Sequence, residues 1–218
     1  MLYSKEKAFL FIHIPKTAGT SIRSVLSPYA GKRGVINYLG RRLENYPNFC
    51  FKTGIASRRT YDPYATFQDI AQLLPQHELD RIFKFCITRN PFDRAYSYYL
   101  HVLSHPNHGT FEQMKSYGSF EGMLKHLDQV KEPSQKSYVV NSSGEYSIDF
   151  AGSFEKLADD FSEIRQRLGI PGDFLPRNNS RKHKDYREAY NDTNWRYIVD
   201  YYEEDFDLFG YDKALHNS

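Results

Sequence analysis

A chain of 218 residues has room for one sizeable core and too little for two comfortable domains. Its 40% hydrophobic and 26% charged residues are those of a globular protein rather than a disordered one. A formal net charge of +2 argues against bulk nucleic-acid binding, though it leaves room for a local basic patch. The two cysteines, Cys50 and Cys86, lie in strand-like runs without metal-ligand spacing and read as buried free thiols. No apolar run approaches the roughly 20 residues of a membrane-spanning helix. The opening "MLYSKEKAFLF" lacks the apolar length and cleavage site of a secretory signal. A cytoplasmic protein without a transmembrane segment is the resulting expectation.

In chain order, residues 8–14 are a Phe- and Ile-rich run that predicts a buried strand. A helix to about Leu26 follows, with Thr20 or Ser21 as its cap. Residues 28–47, rich in glycine and basic side chains, read as surface loop. "NFCFKTGIA" (48–56) predicts a second strand, "TFQDIAQLL" (66–74) a short helix, and "RIFKFCITRNP" (81–91) a third strand. A helix over about 92–104, a loop over 105–118, a helix over 119–130 and a strand in "YSIDFAGSF" (146–154) come next. Two late helices show 3.6-residue apolar spacing: Phe154 to Leu168, stopped by Gly169, and Trp195 to Phe206, with Asp192 or Thr193 as cap. Strands alternating with helices predict one α/β domain over residues 1–218, P-loop-like, with a central parallel sheet flanked by helices. Ligands of such sheets bind beyond the C-terminal strand ends.

The first strand–turn–helix passage, "FLFIHIPKTAGTSIRSVL", carries the strongest chemical signal. Amide groups at a helix start lack intrahelical partners, and the helix dipole adds partial positive charge, so anions bind there. Gly19 allows close backbone approach, Lys16 brings a full charge, and Thr17, Thr20 and Ser21 bring hydroxyl donors. A capped turn with an exposed lysine is the plainer explanation of K-T-x-G-T alone. The triphosphate pattern G-x-x-x-x-G-K-[ST] is absent, because the lysine precedes the glycine, and no acidic partner for magnesium is evident. The ligand expected is a phosphate ester that needs no metal.

The full string "HIPKTAGTS" resembles the 5′-phosphosulfate loop of the carbohydrate sulfotransferases, which use 3′-phosphoadenosine 5′-phosphosulfate (PAPS). The resemblance assigns Lys16, Thr17, Ala18, Gly19, Thr20 and Ser21 to the donor, with Lys16 also catalytic. In "FCITRNPFDRAYSYYL" (85–100), Arg89 and Ser97 are similar in spacing to the family's 3′-phosphate motif. A guanidinium fork at a strand end suits that role. Asp93 and Arg94 read instead as an internal salt bridge. "IDFAGSFEKLADDF" (148–161) and residues 178–211 continue the resemblance, and the late basic loop would bring Asn179, Ser180 and Arg181 to the nucleotide. The implied reaction moves a sulfuryl group to a hydroxyl of a saccharide or glycolipid by in-line displacement, without a metal.

A hydroxyl acceptor calls for a general base. Relatives often carry histidine where this chain has Ile55, which cannot take a proton. The candidates that remain are His101, one helical turn beyond Ser97, and His105, His108 and Glu112. His13, on the first strand, reads as a hydrogen-bonded structural histidine. Two other functions stay open: a P-loop-type nucleotide kinase, and a nucleotide-binding module that kept the PAPS site without catalysis. A trimmed catalytic domain of a Golgi-lumenal enzyme is the alternative to a cytoplasmic one.

Overall fold

A computed structural model describes residues 1–30, 64–172, 185–191 and 193–214. The chain divides into two compact units, each assembled from two stretches: Met1–Thr88 with Ser137–Asn178, and Arg89–Lys136 with Asn179–Ser218.

The first unit holds a four-stranded sheet in the order β1 (Leu2–Ser4), β2 (Phe9–Ile12), β3 (Phe83–Thr88) and β4 (Phe150–Ser153). β2, β3 and β4 run parallel, with Phe11 opposite Phe85 and Phe85 opposite Phe150. β1 adds an antiparallel edge strand. The α/β class expected from the sequence is therefore the class observed, apart from that edge. All four residues of β2 are buried, and so are five of the six in β3. Near-continuous apolar runs of this kind belong to strands covered on both faces. Phe9, Phe11, Phe85 and Ile87 form one cluster with Ile22 and Leu26 of α1 (Gly19–Leu26), and with Phe161, Ile164 and Leu168 of α2 (Leu157–Leu168). α2 stops at Gly169, whose φ of 58° is the left-handed conformation glycine adopts without a Cβ penalty. A short helix, Phe67–Ala71, is closed by a capping box. The Thr66 hydroxyl accepts from the Asp69 amide, and the Asp69 carboxylate accepts from the Thr66 amide.

The second unit is helical. α3 (Pro91–Leu103) starts on Asn90, whose side chain accepts from the Phe92 amide at 2.9 Å, with Pro91 at the first helical position. Phe92, Ala95, Tyr98 and Val102 of α3 pack with Phe120, Met123, Tyr190, Ile198, Tyr202 and Phe206. The Tyr190 hydroxyl donates to the Phe92 carbonyl, which satisfies a polar atom inside this cluster.

Several expected elements change. Residues 105–118 are not all loop, since Phe111–Ser116 is helical. The helix expected over 119–130 is two short ones, Phe120–Leu124 and Leu127–Val130. The last helix breaks at Tyr202 into α4 (Trp195–Tyr201) and α5 (Glu203–Phe209). Its N-cap is Asn194 rather than Thr193, and Asp192 lies outside the described residues. The strand expected over 48–56, with Cys50 and Ile55, also lies outside them. Cys86 is buried with a free thiol, as expected. Among the described residues, no helix is long and apolar enough to cross a membrane.

Candidate functional site

The residues between β2 and α1 form a strained turn. Lys16 has φ 69° and Ala18 has φ 66°, so two residues with side chains occupy the left-handed region within three positions. Such a conformation costs roughly 1–2 kcal/mol per residue and concentrates at ligand clamps. Ala18 is the N-cap of α1 and bonds nothing through its side chain. This corrects the expected cap: Thr20 and Ser21 lie inside the first turn, not ahead of it. The Ser21 and Ile22 amides close onto the Ala18 carbonyl at 3.0 and 3.3 Å. The earlier amides of the turn belong to those a helix start cannot satisfy internally. Thr17 is fully buried and donates its hydroxyl to the Ile14 carbonyl at 2.9 Å, so it braces the turn from inside. Lys16 is half-buried and Thr20 exposed.

Gly19 is required for a steric reason. A Cβ there would fall within the imidazole of His13, which lies under the start of α1. His13 is 6% exposed, stacks on Phe11 with 6.0 Å between ring centres and tilts against Tyr64 at 5.1 Å. Its Nδ1 has no hydrogen-bond partner among the described residues, so on that side the ring is a wedge held by packing rather than the expected hydrogen-bonded group. Burial lowers its pKa from 6.5 to about 3, helped by the charges of the amino terminus, Arg23 and Lys16. A neutral imidazole is therefore built into the turn.

This gives a pH prediction. A folded pKa below the unfolded one means that unfolding takes up a proton as pH falls. The stability contributed by a neutral His13 is complete above pH 6.5 and is lost between 6.5 and about 3. Between pH 7 and pH 5 the wild type should lose about 2 kcal/mol more unfolding free energy than His13→Gln. Parallel urea titrations of the two proteins check this, and equal slopes against pH would refute it.

In the second unit, Arg89 is half-buried directly after the last residue of β3. Its Nε donates to Asp93 Oδ2 at 2.8 Å, and one terminal nitrogen reaches the same oxygen at 2.8 Å. The expected Asp93–Arg94 bridge is thus corrected. Asp93 pairs with Arg89, while Arg94 turns inward to Glu132 at 2.7 Å and to the Pro133 carbonyl at 2.8 Å. A helix places consecutive residues about 100° apart, so neighbours do not face each other. Ser97 is buried on α3.

The candidate bases gather. The His101 ring lies 4.2 Å from that of His105 and 5.8 Å from that of His108, centre to centre. His105 lies beyond the end of α3, and its Nδ1–H donates to the His101 carbonyl at 2.7 Å. His108 Nδ1 is 3.0 Å from the Thr110 hydroxyl. Glu112 is exposed in the first turn of the 111–116 helix. Among the described residues no group of three or more His, Cys, Asp or Glu could hold a metal ion. Asn179, Ser180, Arg181 and Ile55 lie outside the described residues.

Sequence reasoning missed two polar residues here. The buried Gln135 bonds both backbone groups of Arg89, and the buried Asp205 holds Gln135. No local pattern marks either one.

No curated protein and no solved structure matches the chain. A family model described as the sulfotransferase family matches residues 1–212, nearly the whole length. A mostly parallel α/β sheet with a strained turn after its first parallel strand is in keeping with that match. The chain belongs to the sulfotransferase family, enzymes that transfer a sulfuryl group to an acceptor.

Proposed function

We propose that residues 1–218 act as one catalytic domain that uses PAPS and sulfates a hydroxyl of a saccharide or glycolipid. The observation that carries the donor is the turn at Lys16–Gly19. Two side-chain-bearing residues are held left-handed, and glycine is enforced by the imidazole beneath it. Such strain is retained where a preformed set of amides must meet an anion. PAPS supplies the activated sulfuryl group. Lys16 and the amides of Thr17, Ala18, Gly19 and Thr20, with Ser21 beside them at the helix start, hold its 5′ end and meet charge growing on the leaving phosphate. Arg89 and Ser97 hold the 3′-phosphate, with Asn179, Ser180 and Arg181 along the nucleotide. The binding energy of that remote phosphate positions the reacting centre. His101, with His105 and His108 beside it, takes the acceptor proton. The acceptor class rests on the motif resemblance, because fold does not fix substrate.

Thermal unfolding tests the donor. 3′-Phosphoadenosine 5′-phosphate at about 100 times its dissociation constant should stabilise the fold by roughly 2.7 kcal/mol. Lys16→Ala and Arg89→Ala should each reduce that gain. Stabilisation only by ATP with magnesium would sink the proposal in favour of a kinase. A nucleotide that binds without turnover across an acceptor panel would leave a non-catalytic binding module.

A further inference from the structure

Gln135 is fully buried, and among the described residues its hydrogen bonds serve one neighbour, Arg89, and one anchor, Asp205. Its side-chain Oε1 accepts from the Arg89 amide at 2.9 Å, and its Nε2 donates to the Arg89 carbonyl at 2.8 Å. A neighbouring strand would give a residue this same pair of bonds. β3 ends at Thr88, so the amide of one glutamine continues the ladder for a single residue. Gln135 is itself fixed from behind. Its backbone amide donates to Asp205 Oδ2 at 2.8 Å, and the Lys136 amide donates to Oδ1 at 2.8 Å. Asp205, on α5, is 0% exposed. Burial raises its pKa, while the two amide bonds and the nearby Arg94 charge pull the other way.

A buried amide and a buried carboxylate are costly unless every polar atom is used. Here they are used to fix the backbone of a half-buried arginine at a strand end, not to fill the core. Fixing both backbone groups of Arg89 sets the direction of its Cα–Cβ bond. Asp93 then holds the guanidinium through Nε and one terminal nitrogen. The arginine is held at both ends before any ligand arrives, which lowers the ordering cost of binding an anion.

We infer that Gln135 is a positioning residue for Arg89 as a phosphate ligand, with Asp205 as its anchor. The inference rests on the proposed role of Arg89 toward a nucleotide 3′-phosphate. It assigns Gln135 to selectivity for 3′-phosphorylated nucleotides rather than to nucleotide binding in general.

The experiment compares affinities for 3′-phosphoadenosine 5′-phosphate and adenosine 5′-phosphate by calorimetry, in the wild type and in Gln135→Met. Methionine keeps the volume and removes both bonds to Arg89. The wild type should prefer the 3′-phosphorylated nucleotide. Gln135→Met should lower that preference at least tenfold while adenosine 5′-phosphate affinity changes less than twofold. In an Arg89→Ala background the same change should leave the ratio where Arg89→Ala put it. A merely structural glutamine would weaken both nucleotides alike, and that result overturns the inference. If Gln135→Met does not fold, Asp205→Asn, which keeps one acceptor, should show a smaller loss in the same direction, and an unchanged ratio there overturns it too. A wild type without preference removes the 3′-phosphate reading itself. A wild type with preference that Gln135→Met keeps removes only the role of Gln135.

Discussion

Replacing Lys16 with alanine is expected to lower the turnover number for sulfuryl transfer about 100- to 1,000-fold, the usual loss when one preorganised donor to developing charge is removed. The local backbone makes this substitution informative. Lys16 sits at φ 69°, and alanine pays much the same penalty there as lysine, since the clash comes from Cβ. Lys16→Ala therefore removes the ammonium with little change in the strain of the turn. Lys16→Gly would relax the turn as well and confuse the two effects. If Lys16 acts on the leaving phosphate only in the transition state, the turnover number falls and the Michaelis constant for the donor barely moves. Steady-state kinetics with both substrates varied separate the cases. A fall of less than about fivefold in turnover, with a raised donor Michaelis constant, would make Lys16 a ground-state ligand only.

The largest stability effect is expected in the second unit, at Glu132. The Arg94 side chain is 2% exposed and its partner carboxylate 11%, at 2.7 Å. Removing one member of such a pair leaves a charge in a place water cannot reach, which costs about 3–5 kcal/mol. Arg94 keeps its bond to the Pro133 carbonyl and its place 5.7 Å from the Tyr202 ring, so Glu132→Ala should fall near the lower end, about 3 kcal/mol. The double variant Arg94→Met/Glu132→Leu removes both charges and should recover most of that loss. Urea unfolding of the three proteins is the check. A loss below about 1 kcal/mol in Glu132→Ala would mean that water reaches Arg94 after all.

What the sequence reveals depends on the range of the interaction that fixes each feature. β2, β3, α3 and α2 come from patterns a few residues long, and the apolar runs and Gly169 mark them directly. The turn at Lys16 is legible for the same reason, since its anion chemistry lies in consecutive residues. The break at Tyr202 is hidden by the very pattern that predicts the helix. Ile198, Tyr202 and Phe206 fall four residues apart and all are buried, so the apolar face runs on where the backbone does not, with Tyr202 at φ −113° and ψ 28°. The 111–116 helix lies in a stretch whose Pro106, Gly109 and Gly118 read as loop, and those residues turn out to bracket the helix. Polar partnerships were the least legible. Asp93 and Arg94 are adjacent in sequence, yet each pairs elsewhere. Gln135 meets Arg89 across 46 positions, and Asp205 meets Gln135 across 70. Hydrogen bonds over such separations leave no periodicity.

The sheet's parallel order also sets a schedule for synthesis. β3 can pair with β2 once both have been made, but its other edge waits for β4 at Phe150–Ser153. About 60 residues separate the two strands, and at about 5–20 residues per second a ribosome needs roughly 3–12 seconds to supply them. For that interval Phe85 and Ile87 stand on a strand with an unpaired edge, and open apolar edges recruit other chains. Slower translation across residues 89–149 would lengthen the exposure, so the yield of folded protein should depend on codon choice there more than in the segment after β4.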